Sequence, residues 1–291
     1  MTADPQHESQ AARKTTPSQA RFANLGLRLA SSILLAAVTL AALFGGFPFW
    51  PLLVLVVGMG LAWEWNRMLA RSGAPAALAL LVALAAVVGL AAFGQPAIAV
   101  VAAVVGTVVL AAIGSGEGRL THAAGLLYFG LPATALLWLQ ADEPGGAMAV
   151  LLVMVVVWVT DSAAYFTGRA AGGPKLWPSI SPNKTWAGSA GGTVGGVVAG
   201  VIFAAAAGAA PLLWTAFLSL VISIACQAGD LLESSLKRRC DRKDSSGLIP
   251  GHGGLMDRLD GLLMAALVAA LCGLWWTPDQ PSATVLPGLM P

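Results

Sequence analysis

Residues 226–260 read CQAGDLLESSLKRRCDRKDSSGLIPGHGGLMDRLD and gather acids, bases and glycines into one short stretch. Asp230 and Glu233 stand three apart, which places them on one face of a helix. Lys237, Arg238, Arg239, Arg242 and Lys243 follow. Then come Gly251, Gly253 and Gly254 around His252, and the stretch closes on Asp257, Arg258 and Asp260. Carboxylate oxygens are hard ligands suited to Mg2+, and Lys and Arg neutralise phosphate oxygens. Two acid clusters with a basic run between them therefore suit a metal-bound triphosphate. A basic run at a membrane edge can also serve only topology and headgroup contact. For Arg239 and Arg242 that plainer role is the expectation, but it leaves the four acids and the glycines around His252 unaccounted for.

A second polar stretch, TDSAAYFTGRAAGGPKLWPSISPNKTWAG, begins at Thr160 and carries Asp161 at the end of an apolar run. An acid in that position is costly unless it faces a polar cavity, a partner or a cation; a helix cap or a pairing with Arg169 is the simpler alternative. Pro182 is incompatible with regular helix at Ser181–Thr185. Ser181, Asn183 and Lys184 are thus expected on a turn ahead of a helix, a setting that suits anion binding.

The elements that must position these residues are membrane spans. Of the 291 residues, 57% are apolar and 10% charged, against about 25% charged in soluble domains. Apolar stretches near or above the ~20 residues that cross a hydrocarbon core recur along the chain, and runs such as 76–93 lack the alternation of a β-barrel strand. The expected fold is all-α and polytopic, with about nine transmembrane helices at 27–44, 47–63, 75–93, 96–113, 124–140, 147–160, 187–208, 211–228 and 261–276. All 16 Lys and Arg fall in the leading tail or in alternate loops, with Arg28 at the edge of the first span. The positive-inside rule makes those loops cytoplasmic, so the active site is expected on the cytoplasmic face.

Four regions follow: a disordered cytoplasmic tail at 1–24, N-terminal transmembrane helices at 25–146, a C-terminal transmembrane catalytic region at 147–277, and a non-cytoplasmic tail at 278–291. Gly188, Gly192, Gly196 and Gly200 recur every four residues at the start of the seventh span. Small residues at that spacing let helices approach closely, either within the chain or across a homodimer. Three cysteines without CxxC spacing give no metal or redox motif, and neither HExxH nor a GxxxxGK[ST] loop occurs. No nucleic-acid partner is expected.

The stretch Ser234–Asp260 resembles the signature of the phosphatidate cytidylyltransferase (CDP-diacylglycerol synthase) family, with S-x-hydrophobic-K-R, K-D, P-x-H-G-G and D-R-x-D in register. GDLLES at Gly229–Ser234, DSAAYFTGR at Asp161–Arg169 and SPNKTWAG at Ser181–Gly188 are also similar to that family. Ala187 departs from it, since many relatives carry an acid there. The earlier spans match only in being apolar.

The resemblance implies transfer of the cytidylyl group of CTP to phosphatidate within the bilayer, giving CDP-diacylglycerol and pyrophosphate. It implies Mg2+, with a second cation such as K+ able to join it. Asp230 and Asp257, then Asp260 and Asp161, are the metal ligands so implied. Lys184, Lys237, Lys243, Arg238 and Arg258 would hold phosphates, Ser181 and Asn183 would shape the lipid-phosphate end, and His252 with Gly253 and Gly254 would bind substrate. The location implied is a bacterial inner membrane. Two other classes fit less well: another CTP-dependent lipid enzyme of the polyprenol kinase kind, and a transporter. The first five spans have almost no internal charge, and the acids gather at one face, which disfavours transport. A CDP-alcohol phosphotransferase would need a DG-x2-AR…G-x3-D-x3-D arrangement that is missing.

Overall fold

A computed structural model describes residues 17–69, 73–116, 118–142, 145–248 and 253–287, with side chains from residue 30 onward. Residues 1–16 of the tail, the Arg28 side chain and His252 lie outside the described residues. In chain order the elements are α1 (Pro17–Gly45), α2 (Phe49–Leu69), α3 (Ala74–Ala92), α4 (Pro96–Ile113), α5 (Arg119–Ala141) and α6 (Gly146–Ala171). A two-stranded antiparallel ribbon follows, β1 (Lys175–Trp177) and β2 (Ser181–Thr185). The chain continues as α7 (Trp186–Ala206), α8 (Leu212–Arg239), α9 (Met256–Trp276) and the short α10 (Pro281–Val285).

Among the described residues, eight helices, α2 to α9, are long and apolar enough to cross a membrane, and Ala30–Gly45 adds a shorter apolar helix. The protein is an all-α polytopic membrane protein, as composition requires: in hydrocarbon a helix satisfies its own backbone, whereas an open strand does not.

Two groups of helices share one buried core. α2, α3, α4 and α5 pack on one another, α6, α7, α8 and α9 do the same, and α5 joins the groups through α9 and α6. α5 is the most buried span, and aromatic contacts of Trp65 with Tyr128 and Phe129 hold α2 against it. The glycine stripe of α7 is spent inside the chain. A Cβ on Gly192 would lie 2.8 Å from the Thr160 carbonyl, and one on Gly196 would lie 2.3 Å from Thr160 Oγ1. On Gly200 it would meet Ser219 Oγ at 2.1 Å. Small residues thus let α7 lie directly on α6 and α8.

Three expectations are corrected. The helix begins at Pro17, so residues 17–24 of the expected disordered tail are helical. α6 runs to Ala171 and α8 to Arg239, well past their apolar runs, because a helix needs no apolar side chains once it faces polar partners instead of lipid. Ser181–Thr185 is a strand and not a turn: Lys175 pairs with Thr185, and Trp177 with Ser181. Pro182 fits here because its missing N–H is tolerated in a short edge ribbon. The tail after Trp276 carries α10, whose Val285, with the following Leu286, is buried in the core.

Candidate active site

Two carboxylate clusters form where α6, α8, α9 and β2 end. In the first, Asp161 of α6, Asp230 of α8 and Asp260 of α9 lie close enough for their charges to act on one another. Lys184 of β2 is ion-paired with Asp230. Its place is fixed by the next residue: Thr185 caps α7, accepting the Gly188 N–H at 3.0 Å, an N-cap that satisfies one of the helix's orphan donors. Cys226 donates to Asp161 Oδ1 at 3.6 Å, Ser234 Oγ to Asp230 Oδ1 at 3.3 Å, and the Gly261 N–H to Asp260 Oδ1 at 2.8 Å. Two glycines allow this approach. A Cβ on Gly229 would stand 2.5 Å from the Asp260 carbonyl, and one on Gly261 would stand 2.6 Å from Cys226 Sγ. The absence of both side chains lets α8 and α9 touch beside Asp230 and Asp260.

The second cluster is built around Lys237. Its ammonium lies 2.6 Å from Glu233 Oε2, one turn back on α8, and 2.6 Å from Asp257 Oδ1 on α9. Asp257 Oδ2 accepts the Ser245 N–H at 3.1 Å and the Gly254 N–H at 2.9 Å. Ser245 Oγ lies 3.0 Å from the same oxygen and 3.1 Å from Glu64 Oε2; its single proton serves one of them at a time. Gly253 has a φ of 89°, a conformation that glycine adopts freely. A Cβ on Gly254 would fall 1.8 Å from Ser245 Oγ. Gly253 and Gly254 thus allow the close approach that presents the Gly254 N–H to Asp257.

Glu64 was not expected in the site. It lies on α2, fully buried, and its carboxylate accepts the Leu255 and Met256 N–H groups, each at 2.7 Å, and the Ser246 hydroxyl. Those amides open α9, where the helix dipole favours a negative charge. Position 64 follows directly on the expected second span, 47–63, and so falls outside every expected helix. An ionisable residue flanked by Trp63 and Trp65, at the end of an apolar run, was the available signal.

Other expected residues are placed less centrally. Ser181 is half-buried and Asn183 exposed on β2. Arg238 is exposed and donates to the Ile180 carbonyl at 3.4 Å, tying α8 to the ribbon. Lys243 is exposed on the loop after α8, and Arg258 is exposed on the first turn of α9. Arg169 donates to the Tyr165 hydroxyl at 3.1 Å on its own helix.

Each cluster therefore gathers three carboxylates: Asp161, Asp230 and Asp260, with Lys184 paired to Asp230, and Glu233, Asp257 and Glu64, of which the first two pair with Lys237 and Glu64 is joined to Asp257 through Ser245. Such an excess of negative charge at the edge of a membrane suits added cations and carboxylate-bound metal. Among the described residues no three His, Cys, Asp or Glu side chains already converge as a metal cage. The chemistry of the first cluster fits a divalent cation that keeps water ligands. Asp257 fits less well, since Lys237 and the loop amides take its oxygens.

A helical membrane bundle with acid and lysine clusters at one end is matched from residue 26 to 275 by the model of the Cytidylyltransferase family. The chain belongs to that family. It is 40% identical over 266 residues to the phosphatidate cytidylyltransferase of Brucella suis biovar 1 (strain 1330), covering 90% of this chain and 98% of the relative. The phosphatidate cytidylyltransferase of Bacillus subtilis (strain 168) is 40% identical over 147 residues, 50% of this chain and 54% of the relative. That of Mycobacterium leprae (strain TN) is 44% identical over 126 residues, 43% and 40% respectively.

Proposed function

We propose that the chain is a membrane nucleotidyltransferase that joins phosphatidate to CTP, releasing pyrophosphate and giving CDP-diacylglycerol. The observation that carries this is the pair of carboxylate–lysine clusters, built from the residues that resemble the family signature. A phosphate oxygen of phosphatidate forms a bond to the α-phosphorus of CTP. The bond from that phosphorus to the oxygen bridging to the β-phosphorus breaks, and pyrophosphate leaves with the electron pair. The lipid phosphate, with a second pKa near ~6, is already anionic at neutral pH, so no residue need remove a proton from it. The barrier is repulsion between polyanions, and catalysis is positioning and charge stabilisation.

Lys184, fixed one residue before the cap of α7, and Lys237, held between α8 and α9, present ammonium groups to the phosphates. Arg258, Arg238 and Lys243 add positive charge around them, and Ser181 and Asn183 on the ribbon border the lipid-phosphate end. Asp230 and Asp260, with Asp161, would hold Mg2+, which supplies charge neutralisation on the triphosphate when bound; the remaining carboxylate charge leaves room for a second cation such as K+. Asp257 and Glu64 set Lys237 and the α9 entrance in place. The basic ends of the helices face the cytoplasm of a bacterial inner membrane, in keeping with the positive-inside rule.

The test is purified protein in detergent with phosphatidate, labelled CTP and Mg2+, followed by lipid extraction. Label from the α-phosphate should appear in CDP-diacylglycerol. Label moving from the γ-phosphate to a polyprenol acceptor, with none in CDP-diacylglycerol, would replace this reading with a kinase.

A further inference from the structure

At the same end of the molecule, between α2, α5 and α8, lies a cavity of about 1130 Å³, above the ~300–1,000 Å³ of ordinary small-molecule pockets. Its inner wall is apolar, formed by Leu127 and Leu131 of α5, Leu232 and Leu236 of α8, and Leu267 of α9. Arg119, Arg239 and Arg242 line it too, from the start of α5, the end of α8 and the loop beyond; among the described residues, Asp241 is the acid that lines it. α8 therefore has two working faces. Leu232, Leu236 and Arg239 follow at helical spacing along the cavity, while Glu233 and Lys237, each one residue onward, turn toward the buried ion pairs.

A role confined to membrane topology would need the arginines only in the right loops. Nothing in that role requires three of them, from two segments far apart in sequence, to line one cavity. Leucines and arginines lining one cavity match an acyl chain joined to a phosphate. The reacting phosphate belongs on the other face of α8, with Lys184 and Lys237, so a headgroup held by Arg119, Arg239 and Arg242 is not the one that reacts.

We propose that this cavity is a second lipid site, taking an anionic glycerophospholipid of the surrounding membrane, its phosphate on the three arginines and an acyl chain against the leucines. The distinction from the reacting lipid rests on the function proposed above; the binding itself does not.

Native mass spectrometry of the detergent-purified full chain tests this, because it reads binding without turnover. Phosphatidylglycerol should be retained over phosphatidylcholine by roughly tenfold, in keeping with recognition by several paired charges. Glycerol 3-phosphate, which has the charge without the chains, should not displace it. The double variant Arg119→Gln/Arg239→Gln should lose the preference. Leu127→Trp, which fills the cavity and leaves the charges in place, should lose the lipid altogether. The KM for phosphatidate should stay within about twofold in both variants, as expected when a contact outside the reacting site is removed. Equal retention of both lipids, or retention unchanged in the variants, would overturn the site. Retention of phosphatidate alone, with a raised KM in Arg119→Gln/Arg239→Gln, would instead make the cavity the substrate's own.

Discussion

The Lys237 ammonium stands 2.6 Å from Asp257 Oδ1 and 2.6 Å from Glu233 Oε2, so one lysine joins two acids on different helices. With Asp257 Oδ2 also accepting the Ser245 and Gly254 amides, the D-R-x-D segment is locked onto the end of α8. Asp257→Asn keeps the shape but removes the charge opposite Lys237. Turnover should fall by at least ~100-fold, the scale of losing a strong electrostatic contact, while the Mg2+ concentration for half-maximal rate stays unchanged. A Mg2+ titration of both proteins checks this; a marked shift would return Asp257 to the metal.

Asp230→Asn and Asp260→Asn should behave differently. Both residues lie in the cluster balanced by Lys184. Each change should raise the Mg2+ requirement by about tenfold or more, at least the effect that even outer-shell partners of a metal have. The double variant should be little worse than either single one, because such groups act as a unit. Additive losses in the same titration would argue that the two acids serve separate tasks.

Gly229→Ala is a test of helix approach. The new methyl would sit 2.5 Å from the Asp260 backbone carbonyl, an atom that cannot rotate away, so α8 and α9 must part. The expected cost is about 1–3 kcal/mol, as for other overpacked contacts, together with a loss of activity beyond the loss of folded protein. Thermal unfolding in detergent and activity per folded molecule separate the two effects. Wild-type values for both would show that the contact yields.

Glu64→Gln changes no atom of the family signature, yet should destabilise the protein. An amide keeps one acceptor oxygen and sets an NH2 group against an amide N–H of α9. Leaving one of those buried donors without a partner costs about 1–3 kcal/mol. A lowered unfolding midpoint is expected, and Glu64→Asp should not restore it, because the shorter side chain falls short of Leu255 and Met256. An unchanged midpoint would mean that the amides have found another acceptor.

Orientation can be read with an impermeant thiol reagent after the native cysteines Cys226, Cys240 and Cys272 are replaced. A cysteine at the exposed Asp279 should label from outside intact cells, and one at the exposed Asp244 should not. Labelling at Asp244 alone would invert the topology.

Much of this was legible before the fold. Apolar runs placed α2 to α9 within a few residues at their outer ends, and the residues of 226–260 pointed to triphosphate chemistry and to the family. What escaped was what hydropathy does not encode. The overhanging end of α6 lies on the start of α7, and that of α8 turns to Asp257 of α9 and to the ribbon, so the end of an apolar run marks where lipid stops, not where the helix does. The β1–β2 ribbon is too short for an alternating pattern, and its place is set by the cap at Thr185 and by Arg238. Glu64 escaped because its donors lie at the far end of the sequence: a single acid in a span looks alike whether it faces water, lipid or a helix start. The division of the acids into two clusters was equally hidden, since Asp257 and Asp260 are close in sequence yet face different lysines.

The link from Glu64 to the Met256 amide spans 192 positions, and that separation is also an interval of time. α2 leaves the ribosome long before α9 does. At ~5–20 residues per second, Glu64 waits on the order of ten to forty seconds for the amides that will surround its carboxylate. A bare carboxylate is costly in hydrocarbon, so during that interval α2 has reason to keep this end near water. Arrival of the last long span both closes the site and removes that cost, which makes completion of the bundle and assembly of the catalytic end a single event in the biogenesis of the protein.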